Sequence, residues 1–446
     1  MQVSTRSPVA QHRLVAISCV AACALLLAGC SPTARHDARA TDREDHAGST
    51  AVTQQDTPSA APAAPAAAPL PPADLALRLE SLLGQHSMLA SDMMRGRIRG
   101  NDDFAQAANS ALGKNTDAMV NLVSANFGAP AASQFRTQWS AHVAALFTYA
   151  QGLAEHSDTL RDQAKATLVT FERELAGFFA TASQGRLNRD AAQAAILMHV
   201  DHLLQQADAY AAQDYATSDR IYHEGYVHTY DLGRTLAGAL LPPDQAKALS
   251  APTWRLRSEL SKLLGEHVVL VVDATRSSVM NASDFKAAAD ALNGNTTDLA
   301  GAIDTLFGKA AATSFQSLWA DHVDNIMAYT AAVVSHDDKR RDAALAKLKD
   351  FETQFASFLD SATQRRLNSG SLANALVMHD DMLLKQADAF ATKQYQQAHD
   401  IADSTYSSMF DLSGQLADGF GAAVAARLPA GGAETGLGGM AGVPGR

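Results

Sequence analysis

Cysteine is nearly missing from this chain of 446 residues: there are three, Cys19, Cys23 and Cys30, all within the first thirty positions. The remainder therefore offers no disulfide, no CxxC redox pair and no thiolate metal site. β-Branched runs bounded by turn residues are nearly absent too, which argues against a sheet protein. Formal net charge is −11 and no basic stripe interrupts it, so nucleic acid is not an expected partner. There is no glycine-rich phosphate loop, GxSxG elbow, HExxH motif or Cys/His pair. Nothing supplies a nucleophile or an acid/base pair, and an enzyme is the least supported class.

What the first thirty residues do have is the layout of a targeting segment. Arg6, His12 and Arg13 form a weakly basic start, and Leu14 to Ala28 an apolar run too short to span a bilayer comfortably. It ends Leu27-Ala28-Gly29-Cys30, which resembles a bacterial lipobox. That resemblance implies a signal peptide over 1–29 and acylation of Cys30, so the membrane becomes a partner through N-terminal lipid. Ser31 rather than Asp follows, which favours the outer membrane, facing the periplasm, in a cell with two membranes. In a cell with one, the expected place is the outer face of the cell membrane. Residues 30–72 are rich in Ala and Pro and almost free of large apolar side chains, the composition of a tether. Residues 428–446 are Gly-rich and are expected to be disordered.

Between these ends the sequence repeats itself at an offset of about 180. Phe135-Arg136-Thr137-Gln138-Trp139 through Tyr149 answers Phe315-Gln316-Ser317-Leu318-Trp319 through Tyr329, and Leu82-Leu83-Gly84 answers Leu263-Leu264-Gly265. Met198-His199 and Gln206-Ala207-Asp208 return as Met378-His379 and Gln386-Ala387-Asp388. The period is too long for a solenoid unit. It predicts an all-α chain of two tandem antiparallel six-helix bundle domains from an internal duplication, 73–241 and 254–427, with a linker over 242–253. Apolar spacing in the first copy places helices near 74–97, 102–126, 130–155, 159–183, 189–211 and 213–241. Asn and Asp at the breaks are natural N-caps.

Histidines lie on the apolar stripes of three of these helices. His86 follows Leu75, Leu79 and Leu82; His142 lies between Trp139 and Leu146; His199 lies between Ile196 and Leu203. His267, His322 and His379 hold the matching places. Neutral imidazoles on facing helices are good ligands for copper, zinc or iron, or for haem, and three nearly complete a coordination shell. His228, matched by Ser408, is a candidate fourth ligand in the first copy alone, which would close that site and leave the other open. The second ring nitrogens need acceptors, for which Asn115, Tyr149 and Asp201 are candidates, answered by Asn295, Tyr329 and Asp381. Trp139 and Trp319 read as core anchors. The competing reading is a polar core in which the histidines only bond their neighbours and fix helix register. Two functions stay open: a lipid-anchored envelope protein binding a transition metal or small cofactor, or a non-catalytic envelope scaffold.

The spaced residues Glu266-His267-Val268, Trp319-Ala320-Asp321-His322-Val323 and Tyr329 resemble those of poorly characterised bacterial envelope proteins with tandem helical repeats. Some of these carry the label copper amine oxidase. The label implies an Asn-Tyr-Asp/Glu motif and a His-x-His pair. Neither stands in the part expected to fold, so only the suggestion of copper is carried over.

Overall fold

The computed structural model describes residues 70–427; the signal segment, Cys30, nearly all of the tether and the Gly-rich tail lie outside them. Every regular element among the described residues is helical. The first half comprises α1 (Pro72–Ile98), α2 (Asp102–Phe127), α3 (Ala129–Ala154), α4 (Asp158–Ala182), α5 (Arg189–Ala211) and α6 (Tyr215–Leu240). A short helix, α7 (Pro243–Ala246), and a 3-10 turn over Lys247–Ser250 occupy the stretch expected to be linker. The second half comprises α8 (Pro252–Val279), α9 (Phe285–Phe307), α10 (Lys309–Ser335), α11 (Asp338–Ala362), α12 (Ser369–Ala391) and α13 (Tyr395–Ala425). None of these helices is long and apolar enough to cross a membrane.

Local chemistry sets the boundaries. Asn101, Asn188 and Asp214 accept from the backbone N–H three residues on and start α2, α5 and α6. At the α3–α4 break the cap is Ser157, and Asp158 is the first helical residue instead. The single-residue break between α2 and α3 requires φ of 84° at Gly128, and Gly308 repeats it at 87°. Only glycine takes that conformation without strain.

The apolar stripes of helices α2 to α6 face the core as their spacing predicts. α1 departs from that pattern, because every residue from Glu80 to Gly96 is buried. Its own bundle covers one side, and α8 with α13 covers the other. α8 is enclosed in the same way from Leu264 to Val272. The polar residues of these two helices are therefore inside, and they pair across the halves. Arg95 Nη1 donates to Asp273 Oδ2 at 3.1 Å, and Arg276 Nη1 donates to Asp92 Oδ2 at 2.7 Å. Arg95 also bonds Asp219 and Gln206. Replacing such a buried pair by apolar residues is often neutral for stability, whereas removing one partner alone is costly. A methyl group on Gly84 would lie 2.9 Å from Tyr406 Oη, and one on Gly265 would lie 2.8 Å from Tyr226 Oη. Glycine at both places lets each half's tyrosine approach the other half's central helix.

Candidate metal centre

The central helix of each half supplies the first histidine. His86 projects from α1 toward His142 on α3 and His199 on α5, with ring centres 5.2, 5.5 and 5.6 Å apart. His267 on α8, His322 on α10 and His379 on α12 repeat the triangle at 5.6, 5.8 and 5.8 Å. In each triad one nitrogen from every ring lies within 4.8 Å of the other two. Nitrogens about 2.0–2.1 Å from a common ion stand about 3.4–3.6 Å apart, so each ring needs to move inward by at most about 0.8 Å. The sequence stripes thus converge on two points, as three ligands on facing helices must.

Aromatic walls enclose both triads. Trp139 lies 4.7 Å from His86, and Phe171 stacks on His142 at 4.3 Å. Trp319 and Phe351 do the same for His267 and His322, at 4.7 and 4.4 Å. This dry setting disfavours the imidazolium. Burial lowers the pKa of His86 to about 3 and of His379 to about 4. Burial, reinforced by repulsion from neighbouring histidines, takes His142, His199, His267 and His322 well below the usual value. All six are neutral at physiological pH, the state in which imidazole binds a metal.

Their nitrogens are also unclaimed. Both ring nitrogens of His86, His142, His267, His322 and His379 lack a hydrogen-bond partner, as does Nε2 of His199. His199 Nδ1 lies 3.1 Å from Thr229 Oγ1, whose own hydrogen is donated to the Gly225 carbonyl at 2.6 Å. The hydroxyl must therefore accept from Nδ1–H, which fixes the tautomer and leaves the Nε2 lone pair free. In the second triad Asp380 stands 3.5 Å from His322 Nδ1 without making a hydrogen bond. Burial, with Glu352 adding repulsion, raises the Asp380 pKa well above the ordinary carboxylate range.

The remaining sequence candidates go elsewhere. His228 is not a fourth ligand: its Nε2 is 2.9 Å from the Ala195 carbonyl, and its ring faces His202. Asn115 donates to the Leu82 carbonyl and to Gln85, and Asn295 to the Leu263 carbonyl and Glu266. Tyr149 and Tyr329 donate to Asp208 and Asp388 at 2.7 and 3.0 Å. Asp201 and Asp381 are exposed. Two residues along a helix is a turn of about 200°, which points each of them away from the histidine it was expected to serve. The acceptors beside the triads are instead Thr229 and Asp380, and neither type is kept in both halves: Met409 and Val200 hold the matching places.

Access to the triads also differs. An apolar cavity of about 550 Å³ reaches His199, Trp139 and Phe171 from the surface. Its counterpart over His379 has about 30 Å³. The open site is the first, the reverse of what a fourth ligand at His228 implied. No family model, curated protein or solved structure matches this chain.

Proposed function

We propose that the chain is a metal-binding protein of the cell envelope, holding one transition-metal ion in each histidine triad. The observation that carries this is the state of the imidazoles: buried, neutral, convergent, and each with at least one ring nitrogen that has no hydrogen-bond partner. An unpaired buried polar group costs about 1–3 kcal/mol, and a polar core built only for stability would have used the nearby Asn115 and Tyr149 as acceptors. Neither accepts from a triad nitrogen: the Asn115 amide donates to the Leu82 carbonyl and Gln85, and Tyr149 donates to Asp208. A bare ion suits the geometry better than haem, since a flat macrocycle does not fit between three imidazoles whose centres lie within 5.6 Å.

The donor set narrows the ion. Three neutral nitrogens with no carboxylate in the cluster leave the full ionic charge in a dry site, which favours a monovalent ion such as Cu(I) in the first triad. Asp380, which burial pushes toward its neutral form, places a carboxyl oxygen 3.5 Å from His322 Nδ1 in the second triad, where it would orient that ring on the ion. Lipid on Cys30, supported by the Leu27-Ala28-Gly29-Cys30 motif, would place these sites at a membrane facing the periplasm or cell exterior.

Elemental analysis and absorption spectroscopy of the metal-loaded chain test the proposal. About two equivalents are expected, one in His142→Ala and none when His322→Ala is added, with far-UV circular dichroism unchanged. A folded chain that takes up neither copper nor zinc would overturn the metal reading and leave a scaffold with a histidine core.

A further inference from the structure

The cavity over the first triad has a composition and a counterpart that say what it is for. Its inner end is formed by buried residues, His199 and Phe171 among them. Its polar lining residues at the other end, Asn126, Gln184, Arg186 and Gln245, are exposed and mark the mouth. Arg186 is the one charged residue among those lining it. Three of its nitrogens donate to the Ala239 and Leu240 carbonyls and to Gln184, so two of its five N–H groups stay free. Between mouth and triad the walls are aliphatic and aromatic.

The second half shows how such a space is closed. Where the first half has Ala192, Leu175, Thr229 and Leu240, the second has Leu372, Phe355, Met409 and Phe420 around its 30 Å³ remnant. Each of these four exchanges adds apolar bulk, and together they outweigh the loss where Leu359 stands in place of Phe179. Interiors are normally filled to crystal-like density, and about 550 Å³ of apolar space lies within the roughly 300–1,000 Å³ range of small-molecule sites.

We propose that this pocket binds one single-chain anionic amphiphile, with its acyl tail running inward toward His199 and its anionic head at Arg186. A long-chain carboxylate and a lysophospholipid share that chemistry. The proposal is independent of the metal: the tail is recognised by apolar walls and the head by Arg186, whether or not the triads are loaded.

The test uses residues 65–446, which contain every described helix and the whole described core. cis-Parinaric acid is titrated into metal-free protein and displaced with palmitate, palmitoyl lysophosphatidylglycerol or hexadecanol. One saturable probe site is expected. Ala192→Leu with Leu240→Phe, which copies the filled half, should weaken it at least tenfold. Conversely, Leu372→Ala with Phe420→Leu should create a second probe site, and this keeps the test decisive if the filled variant fails to fold. Arg186→Gln should weaken palmitate several-fold and leave hexadecanol unchanged. Which of the two anionic competitors displaces more strongly identifies the head group. Absence of saturable binding, or equal binding in the filled variant, would overturn the proposal. An equal effect of Arg186→Gln on palmitate and hexadecanol would overturn the placement of the head. Elemental analysis of the same samples after metal loading reports separately on the triads.

Discussion

Metal affinity should barely depend on pH between 7.5 and 5.5, and that is unusual for a site made of histidines. A metal competes with protons for imidazole nitrogens. With three ordinary histidines of pKa 6.5, acidification to pH 5.5 protonates each about ten to one and weakens binding by about a thousandfold, or about 4 kcal/mol. In the folded chain the proton has already been excluded. Burial holds His86 at about 3 and His379 at about 4, and the other four triad residues are also lowered well below 6.5. The sign follows from the direction of the shift. A base whose folded pKa is depressed keeps its neutral form, and the stability that goes with it is complete above the unfolded value of about 6.5. It drains away as pH falls below 6.5 toward the folded value. Between pH 7.5 and 5.5 the triads of the folded protein therefore take up almost no protons, and the change in affinity should be less than about twofold. Competition with a chelator of known proton dependence measures this, with circular dichroism confirming that the chain is folded at both ends of the range. A thousandfold loss at pH 5.5 would refute the argument, because it would mean that the nitrogens are accessible to protons and so are not held in a dry site.

Three other perturbations probe separate parts of the structure. Asp380→Val, which copies Val200 of the first half, should lower affinity at the second triad by about 10–100-fold and leave the first unchanged, read by site-resolved metal titration. Arg276→Met strands a carboxylate at Asp92, whose side chain is 12% exposed, and should cost about 3–5 kcal/mol in denaturant unfolding; adding Asp92→Leu should recover most of it. Gly233→Ala would place a methyl group 2.6 Å from the backbone Cα and N of Glu80. The melting temperature should fall, with about 1–3 kcal/mol of overpacking outweighing the gain of up to about 1 kcal/mol in helix propensity. A rise would show that α1 and α6 can separate freely.

Much of this was legible in spacing. Histidines at His86, His142 and His199 share apolar stripes with residues whose burial is unambiguous, so convergence follows once short connections force neighbouring helices to be antiparallel. The partners of the second nitrogens were not legible. Thr229 lies on a different helix from His199, and its register depends on how α6 rotates against α5. Asp380 has Val200 at the matching position, so a search for what both halves keep passes over it. Phe171 and Phe351 are kept in both halves, and that shared retention was the available clue to the aromatic walls. The burial of α1 on all sides was hidden for another reason. Glu80, Asp92 and Arg95 resemble a solvated face in isolation, and only contact between the halves turns them inward.

The pairing of Arg95 with Asp273 and of Arg276 with Asp92 is reciprocal: each half offers the same cation and the same anion at matching places. A surface with that property is complementary to a copy of itself, as in a two-fold symmetric dimer. Each half alone already carries an arginine, an aspartate, a glycine and a tyrosine in the positions needed to pair with another copy. The segment around Pro242–Pro243 therefore does not create the association; it raises the local concentration of one partner and decides which partner is chosen. Cutting the chain there would turn a unimolecular arrangement into an exchange reaction. Like and unlike halves would compete for one another, at a rate set by how fast two buried ion pairs can open.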